Sequence, residues 1–136
     1  MTTALVTGAT VGIGAAFARA LAERGHDLVL VARNRERLAA KAAEFEALGV
    51  RVEVLPADLA DRAQVATVAA RLEQAEQPIE ILVNNAGFGL NAKLLDVDVR
   101  EHDQAFDVMC RAVLVLGGAA GRAMRVRGHG QIINVA

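Results

Sequence analysis

The 136-residue sequence contains no tyrosine and no tryptophan, and it has one cysteine and two prolines. Without tyrosine, no phenol can donate or accept a proton in catalysis. The single cysteine, Cys110, excludes an internal disulfide and is typical of a reducing compartment. The longest uncharged apolar run, residues 112–121, is too short to cross a bilayer. A strand pattern begins at Ala4, which leaves no room for a cleavable signal peptide. We therefore expect a cytoplasmic protein.

Charges are balanced and interspersed: 15 Lys and Arg against 16 Asp and Glu give a net charge of −1. No basic cluster indicates a nucleic-acid or membrane-surface partner. The three histidines are scattered without the spacing of metal ligands, so we expect no metal site. An apolar content of 54% is typical of a sheet covered on both faces, and the length predicts one domain, residues 1–136.

Strand patterns alternate with helical patterns from end to end. The predicted strands are residues 4–6, 28–32, 50–55, 79–83 and 131–135. This alternation predicts an α/β fold with a doubly wound parallel sheet and right-handed crossovers. The third strand alternates apolar and charged residues, as expected at a sheet edge, which gives the strand order 3-2-1-4-5. The reversal between strands one and four then creates a crevice of the kind that binds ligands.

Apolar spacing also predicts which helix faces are buried. The inward positions of the first helix are predicted to be Ile13, Ala16, Phe17, Ala20 and Leu21, and those of the second Leu38, Ala42, Phe45 and Leu48. The long helix over residues 98–127 carries two apolar stripes: Phe106, Met109, Cys110, Val113 and Leu116, and Val108, Ala112, Val115 and Ala119. A helix with two apolar faces is covered on two sides. The sheet covers one, and either a further element of a longer fold or a second subunit covers the other.

A glycine-rich segment joins the first strand to the first helix. Residues 7–14 read Thr-Gly-Ala-Thr-Val-Gly-Ile-Gly. Gly8 lies where a side chain would collide with the turn, and Gly12 and Gly14 allow close approach of a pyrophosphate and of the helix. The hydroxyls of Thr7 and Thr10 can hold the loop or reach a phosphate. This arrangement predicts a dinucleotide site rather than a simple strand–helix turn.

A second motif, Asn-Asn-Ala-Gly at residues 84–87, follows the fourth strand. The carboxyl ends of parallel strands share one edge of the sheet, so both motifs border the same crevice. Together they resemble the short-chain dehydrogenase/reductase family, whose patterns are T-G-x-x-x-G-x-G and N-N-A-G. The resemblance implies a Rossmann fold and hydride transfer between a nicotinamide and a carbonyl or alcohol substrate. It places Ile13 in the cofactor site, Asn85 behind the cofactor as a bridge between backbone groups, and Ala86 and Gly87 beside the nicotinamide ribose.

The residue after strand two predicts the choice of cofactor. An acid at this place would bind the ribose 2′-hydroxyl of NAD, but the sequence has Ala32 and then Arg33. A guanidinium suits a 2′-phosphate, which favours NADP over NAD. The alternative is that Arg33, with Arg35 and Arg37, forms a solvated basic face. After strand three, the resemblance assigns Asp58 and the backbone of Leu59 to the adenine.

The residues that catalyse the family's reaction are not found. The family uses a tyrosine, a lysine four residues later, a serine after strand five and often an asparagine in the long helix. Lys41 and Lys93 lie in no such motif, and Met109 stands where the asparagine is usual. The resemblance therefore covers all 136 residues but only the cofactor-binding half of the fold, truncated after strand five. We expect no catalytic residue in this chain.

Three hypotheses follow for the function. The first is an NADP-dependent oxidoreductase of this family, acting on a small carbonyl or alcohol and represented by its cofactor-binding half. It would form a homo-oligomer through the 98–127 helix, which in the family commonly packs at a dimer interface. The second is a non-catalytic nucleotide-binding remnant or fragment. The third, a methyltransferase that uses S-adenosylmethionine, would need an acid near Ala32 and leaves the motif at 84–87 unexplained.

Overall fold

The computed structural model describes residues 2–136 and contains one five-stranded sheet. All strand pairs are parallel, and the order β3-β2-β1-β4-β5 confirms the predicted topology. The strands are β1 (Thr3–Thr7), β2 (Asp27–Ala32), β3 (Val52–Pro56), β4 (Ile81–Asn84) and β5 (Gln131–Asn134). The helices are α1 (Gly12–Glu23), α2 (Arg35–Glu46), α3 (Arg62–Leu72), α4 (Val99–Phe106) and α5 (Ala112–Arg127). A 3₁₀ turn (Leu94–Asp96) precedes α4, and a π-helical turn (Asp107–Arg111) joins α4 to α5.

Two apolar cores cover the two faces of the sheet. Side chains of a strand point alternately to opposite faces, so Leu5 belongs to the core under α3 and α5, whereas Ala4 and Val6 belong to the core under α1 and α2. Every residue of β1 except Thr3 and of β2 except Ala32 is buried, which accounts for the near-continuous apolar sequence of both strands. This burial fixes the register that brings the ends of β1 and β4 side by side.

Helix α1 buries a different face from the predicted one. Gly14, Ala18 and Ala22 are its buried residues, whereas Ile13 and Ala16 are exposed. Of the predicted residues, Phe17 and Leu21 are partly buried against the core. The physical reason is the closeness of α1 to the end of β1, where only the smallest side chains fit. Apolar spacing alone therefore identified the wrong face of this helix.

The other helices agree better with prediction. In α2, Leu38, Ala42 and Phe45 are buried, but Leu48 lies beyond the helix end and is exposed, so its predicted inward position is wrong. The side chains of Asn34, Asp61 and Asp98 cap α2, α3 and α4 by accepting backbone N–H groups. These caps fix where each helix begins relative to the sheet edge.

The long helix has one covered face in this chain. Val108, Ala112 and Ala119 are buried against the sheet and α3, and Leu116 joins them. Phe106, Met109 and Cys110, from the other predicted stripe, are exposed, as is Leu114. By length and composition alone, Val99–Arg127 passes a test for membrane-crossing helices, but core helices pass it too, and here one face packs on the sheet.

Ion pairs close the amino edge of the sheet. The Asp27 carboxylate accepts hydrogen bonds from the backbone N–H of Arg51, at 2.8 Å, and from its guanidinium, at 2.9 and 3.1 Å. The Arg51 backbone N–H is the main reason that the pKa of Asp27 lies below its usual value, with the guanidinium adding to it. Arg71, buried, pairs with Glu53 on β3 in the same region. These contacts tie β2, β3 and α3 together at the end opposite the crevice.

Candidate cofactor site

A cleft of about 780 Å³ opens at the carboxyl edge of the sheet, between the ends of β1 and β4. Loops that follow β1, β2, β3 and β4 form its walls, as expected at the point where strand order reverses. The sequence-predicted residues that line it are Gly8, Thr10, Gly12, Ile13, Arg33, Asp58, Leu59, Asn85, Ala86 and Gly87. Two predicted residues, Thr7 and Gly14, lie behind the lining, where they support the loops.

Thr7 joins the two motifs through its side chain. It is buried, its hydroxyl donates to the Val83 carbonyl at 3.4 Å, and its Oγ1 accepts the backbone N–H groups of Asn85 and Ala86 at 2.9 and 3.0 Å. All of its hydrogen-bonding capacity is used inside the protein. Of the two roles open to Thr7 from the sequence, the structure places it in holding the loop.

Asn85 and Gly14 lock the glycine-rich loop from behind. The Asn85 side-chain N–H group donates to the carbonyl oxygens of Thr7 and Gly8 at 3.2 and 3.3 Å. A Cβ on Gly14 would lie 2.0 Å from the Gly8 carbonyl oxygen and 2.4 Å from the Asn85 nitrogen. Gly8 has a φ of +64°, and a Cβ there would lie 2.8 Å from the same nitrogen. Only glycine fits at either position, which fixes the path of the loop.

The beginning of α1 is open towards the cleft. Gly12 has a φ of +56°, and nothing lies within 4 Å of where its Cβ would be. The N-cap residue Val11 provides no side-chain hydrogen bond, in contrast to the capped α2, α3 and α4. Within residues 2–136 the first-turn N–H groups of α1 therefore have no side-chain partner, and the helix dipole adds positive potential there. This is a cradle that a phosphate group fits.

Two arginines line the cleft at the end of β2. Arg33 and Arg37 are both exposed, and within residues 2–136 neither guanidinium forms a hydrogen bond or an ion pair. Arg35, which lies between them in sequence, does not line the cleft. The Asn34 side chain accepts the Arg37 backbone N–H at 3.0 Å and so sets the first turn of α2. Of the three arginines in the basic face considered from sequence, two therefore line the cleft and Arg35 does not. The sequence analysis did not identify Arg37 as a site residue.

Asp58 and Leu59 form the wall after β3. The Asp58 carboxylate accepts the Ala60 N–H at 2.9 Å, and the Asp58 backbone N–H donates to the Gln64 side chain at 2.7 Å. Gln64 also donates to the capping residue Asp61 at 3.0 Å, so it connects this turn to α3. Leu59 is buried apart from its edge on the cleft. The turn is held by several bonds and presents a fixed surface.

The wall after β4 includes residues that sequence reasoning missed. Phe88, Gln104 and Val108 line the cleft beside Ala86 and Gly87. Val108 lies in the π-helical turn, for which the sequence gives no proline or glycine signal. The side chains of Phe88 and Val108 therefore make this end of the cleft largely apolar, whereas arginines line the other end.

A second hollow, of about 530 Å³, lies at the amino edge of the sheet. Its charged walls include Asp27 with Arg51 and Glu53 with Arg71, which pair with each other. These groups have their partners already, so the carboxyl-edge cleft is the better site. In residues 2–136, no group of three or more His, Cys, Asp or Glu side chains is placed to hold a metal ion.

Comparison with known proteins gives relatives along the whole described chain. Gluconate 5-dehydrogenase of Gluconobacter oxydans is 38% identical over 132 residues, which are 97% of this chain and 52% of that protein. Among solved structures, a short-chain dehydrogenase from Sphingobium yanoikuyae in complex with NADPH has a TM-score of 0.94 and 39% identity, covering 98% of this chain and 53% of that one. L-Sorbose reductase from Gluconobacter frateurii, complexed with NADPH and L-sorbose, has a TM-score of 0.90 and 34% identity, covering 98% and 51%.

The chain thus spans about half the length of the curated relatives it matches. The family model described as short chain dehydrogenase matches residues 2–136. This match agrees with the strand order and with the loops at the crevice. The chain therefore belongs to the short-chain dehydrogenase/reductase family, and it contains the family's nucleotide-binding fold.

Proposed function

We propose that this chain binds NADP(H) in the carboxyl-edge cleft, as the cofactor-binding half of an oxidoreductase. The observation that carries the proposal is the pair Arg33 and Arg37, which line the cleft without partners in residues 2–136. No acid stands at the end of β2 to select the ribose hydroxyl of NAD. Two guanidinium groups there match the charge and the forked acceptors of a 2′-phosphate.

The residues that line the cleft indicate where the other parts of the cofactor would lie. The pyrophosphate would lie over Gly12 at the uncapped start of α1, and the adenine against Asp58 and Leu59. The nicotinamide end would lie beside Asn85, Ala86 and Gly87. Support comes from the two solved relatives described above, which hold NADPH. When bound, the cofactor supplies the hydride, and the chain binds and orients it.

The reaction we propose for the complete protein is hydride exchange with a small carbonyl or alcohol. Gluconate and sorbose, which appear in the names of two relatives, are hydroxylated compounds of this kind. For the 136-residue chain alone we expect binding without turnover. It has no tyrosine; Lys41 is paired with Glu44 at 3.0 Å, and Lys93 is exposed, and neither lysine lines the cleft. Under the same proposal the protein is cytoplasmic.

We also propose that the long helix forms a homo-oligomeric interface. Phe106 and Leu114 are 67% and 76% exposed, and the exposed residues Met109 and Cys110 lie between them in sequence. Covering these side chains would remove apolar surface from water, at about 25 cal/mol per Å². A second copy of the helix supplies a matching apolar surface.

The cofactor proposal is tested by titrating NADPH and NADH into the 136-residue chain and three variants. Arg33→Ala and Arg37→Ala should each weaken NADPH binding, because each removes a hydrogen bond to a charged group. The larger of the two losses in binding free energy should be about 1.5–3 kcal/mol. That loss corresponds to about 10- to 150-fold in Kd. NADH, which has no 2′-phosphate, should change little. Arg35→Ala is the matched control and should leave both affinities unchanged.

Two results would contradict this assignment. The first is equal weakening of NADPH and NADH by Arg33→Ala, which would indicate a general disturbance of the cleft. The second is an effect of Arg35→Ala as large as that of its neighbours, which would indicate long-range attraction by a basic surface. High salt distinguishes the latter further, because attraction between exposed charges is largely screened beyond a Debye length, which is about 8 Å at physiological ionic strength and about 3 Å at 1 M.

A further inference from the structure

The π-helical turn Asp107–Arg111 is an unusual feature of the long helix. π-helical turns are rare and occur frequently at functional sites, where they re-aim side chains. This one lies directly beside the loop after β4 and separates α4 from α5. It places Val108 in the wall of the cleft and Met109 outside that wall. Met109 therefore reaches the cleft only through another residue.

That residue is Gly87. A Cβ built on Gly87 would lie 3.3 Å from the Met109 Sδ and 3.4 Å from its Cγ, closer than ordinary van der Waals contact. The Met109 side chain thus lies next to Gly87, on the side where a Gly87 side chain would project. Gly87 itself lines the cleft.

The preceding loop residues are held by hydrogen bonds, but Gly87 is held differently. Asn85 and Ala86 donate their backbone N–H groups to Thr7. In the part of the chain that the structure describes, no hydrogen bond fixes the Gly87 backbone. On the side where a Gly87 side chain would project, the nearest atoms are those of the Met109 thioether.

We infer that Met109 is a positioning residue, which sets the place of Gly87 and so the width of the cleft at its β4 end. The inference rests on the proposed function, since that end would receive the nicotinamide half of the cofactor. A thioether has no N–H or O–H group to donate and is a weak acceptor. Met109 therefore acts by contact, in a position where an asparagine is usual in this family and would act by hydrogen bonding.

The test compares a whole cofactor with half of one. NADPH spans the cleft, whereas adenosine 2′,5′-bisphosphate occupies only the arginine end. Met109→Ala should weaken NADPH binding about threefold to tenfold, which lies in the lower part of the range for coupling between residues in contact, and should leave the affinity for the bisphosphate within about twofold. Met109→Leu, which keeps most of the volume, should bind NADPH nearly as well as the original chain. Val126→Ala, at a residue that is 88% exposed in the last turn of α5, is the control and should change the affinity for neither ligand.

A second pair of variants tests the contact itself. Gly87→Ala places a methyl group against Met109 and should weaken NADPH. Adding Met109→Ala to Gly87→Ala should recover part of that loss, because the shorter side chain makes room for the methyl group. A double variant that binds NADPH no better than Gly87→Ala would overturn the inference, and this comparison does not require the single variant Met109→Ala to be well folded.

The outcomes separate this inference from the proposal beneath it. If the original chain binds neither NADPH nor the bisphosphate, the proposed function is wrong and the inference with it. If the original chain binds both and Met109→Ala binds NADPH equally well, only the inference is wrong. Equal loss of both ligands in Met109→Ala would show a general structural effect and would also overturn it.

Discussion

Replacing Gly14 by alanine is the sharpest test of the packing behind the cleft. The new Cβ would lie 2.0 Å from the Gly8 carbonyl oxygen, whereas ordinary van der Waals contact begins near 3.4 Å. Both of the nearest Gly8 atoms belong to the backbone, and the third obstacle is the bonded Asn85 side-chain nitrogen at 2.4 Å. No flexible side chain can move aside, so α1 or the loop must shift by about 1 Å.

The expected cost follows from two opposing terms. Alanine in a helix is favoured over glycine by about 1 kcal/mol. Overpacking a tight contact costs about 1–3 kcal/mol, occasionally more, and rigid backbone neighbours place this site at the upper end. We expect Gly14→Ala to lower the free energy of unfolding by about 2 kcal/mol and to weaken NADPH binding, because the loop over α1 is displaced.

The matched control is Gly117→Ala. Gly117 also lies inside a helix, α5, but nothing is within 4 Å of its Cβ position. This variant should be more stable than the original chain by about 0.5–1 kcal/mol, the usual gain of alanine over glycine in a helix interior. Urea unfolding followed by circular dichroism measures both. If the two variants change stability in the same direction, the close approach of α1 to the end of β1 is refuted.

Further outcomes are expected. Thr7→Val removes the acceptor of two backbone N–H groups and should cost about 1–3 kcal/mol for each one left unpaired, whereas Thr67→Val, on the exposed face of α3, should be near neutral in urea unfolding. Folding lowers the pKa of Asp27 from 3.8. The stability that the Asp27 carboxylate contributes is therefore complete above pH 3.8 and is lost as pH falls through the lower folded-state pKa. The stability advantage of the original chain over Asp27→Asn should shrink below about pH 4. Purified 136-residue chain should reduce no aldehyde or ketone with NADPH above background, and measurable turnover would contradict the loss of roughly 10²–10⁴-fold expected without a positioned acid. Phe106→Glu should shift the chain towards monomer in light scattering, and an unchanged size would contradict an interface at the long helix.

Much of this protein follows from local sequence. The alternation of strands and helices gives the parallel sheet and its order, because burial on both faces leaves a continuous apolar signal in β1 and β2. Asp61 and Asp98 were predictable as caps, since the requirement of a helix N-terminus for an acceptor is local. The glycines at 8 and 14 were predictable as close contacts from their spacing after a strand.

The tertiary structure alone decided how the helices are turned. Arg35 and Arg37 are both exposed and lie about 200° apart around α2, so only the docking of that helix on the sheet decides that Arg37 reaches the cleft. The buried face of α1 was predicted wrongly, because the close approach of this helix to the end of β1 favours glycine and alanine over larger apolar residues. The π-helical turn has no breaker in its sequence, and the contact of Met109 with Gly87 joins elements that only folding brings together. Sequence periodicity records which residues are apolar, whereas the neighbour that each residue meets depends on the packing of the whole chain.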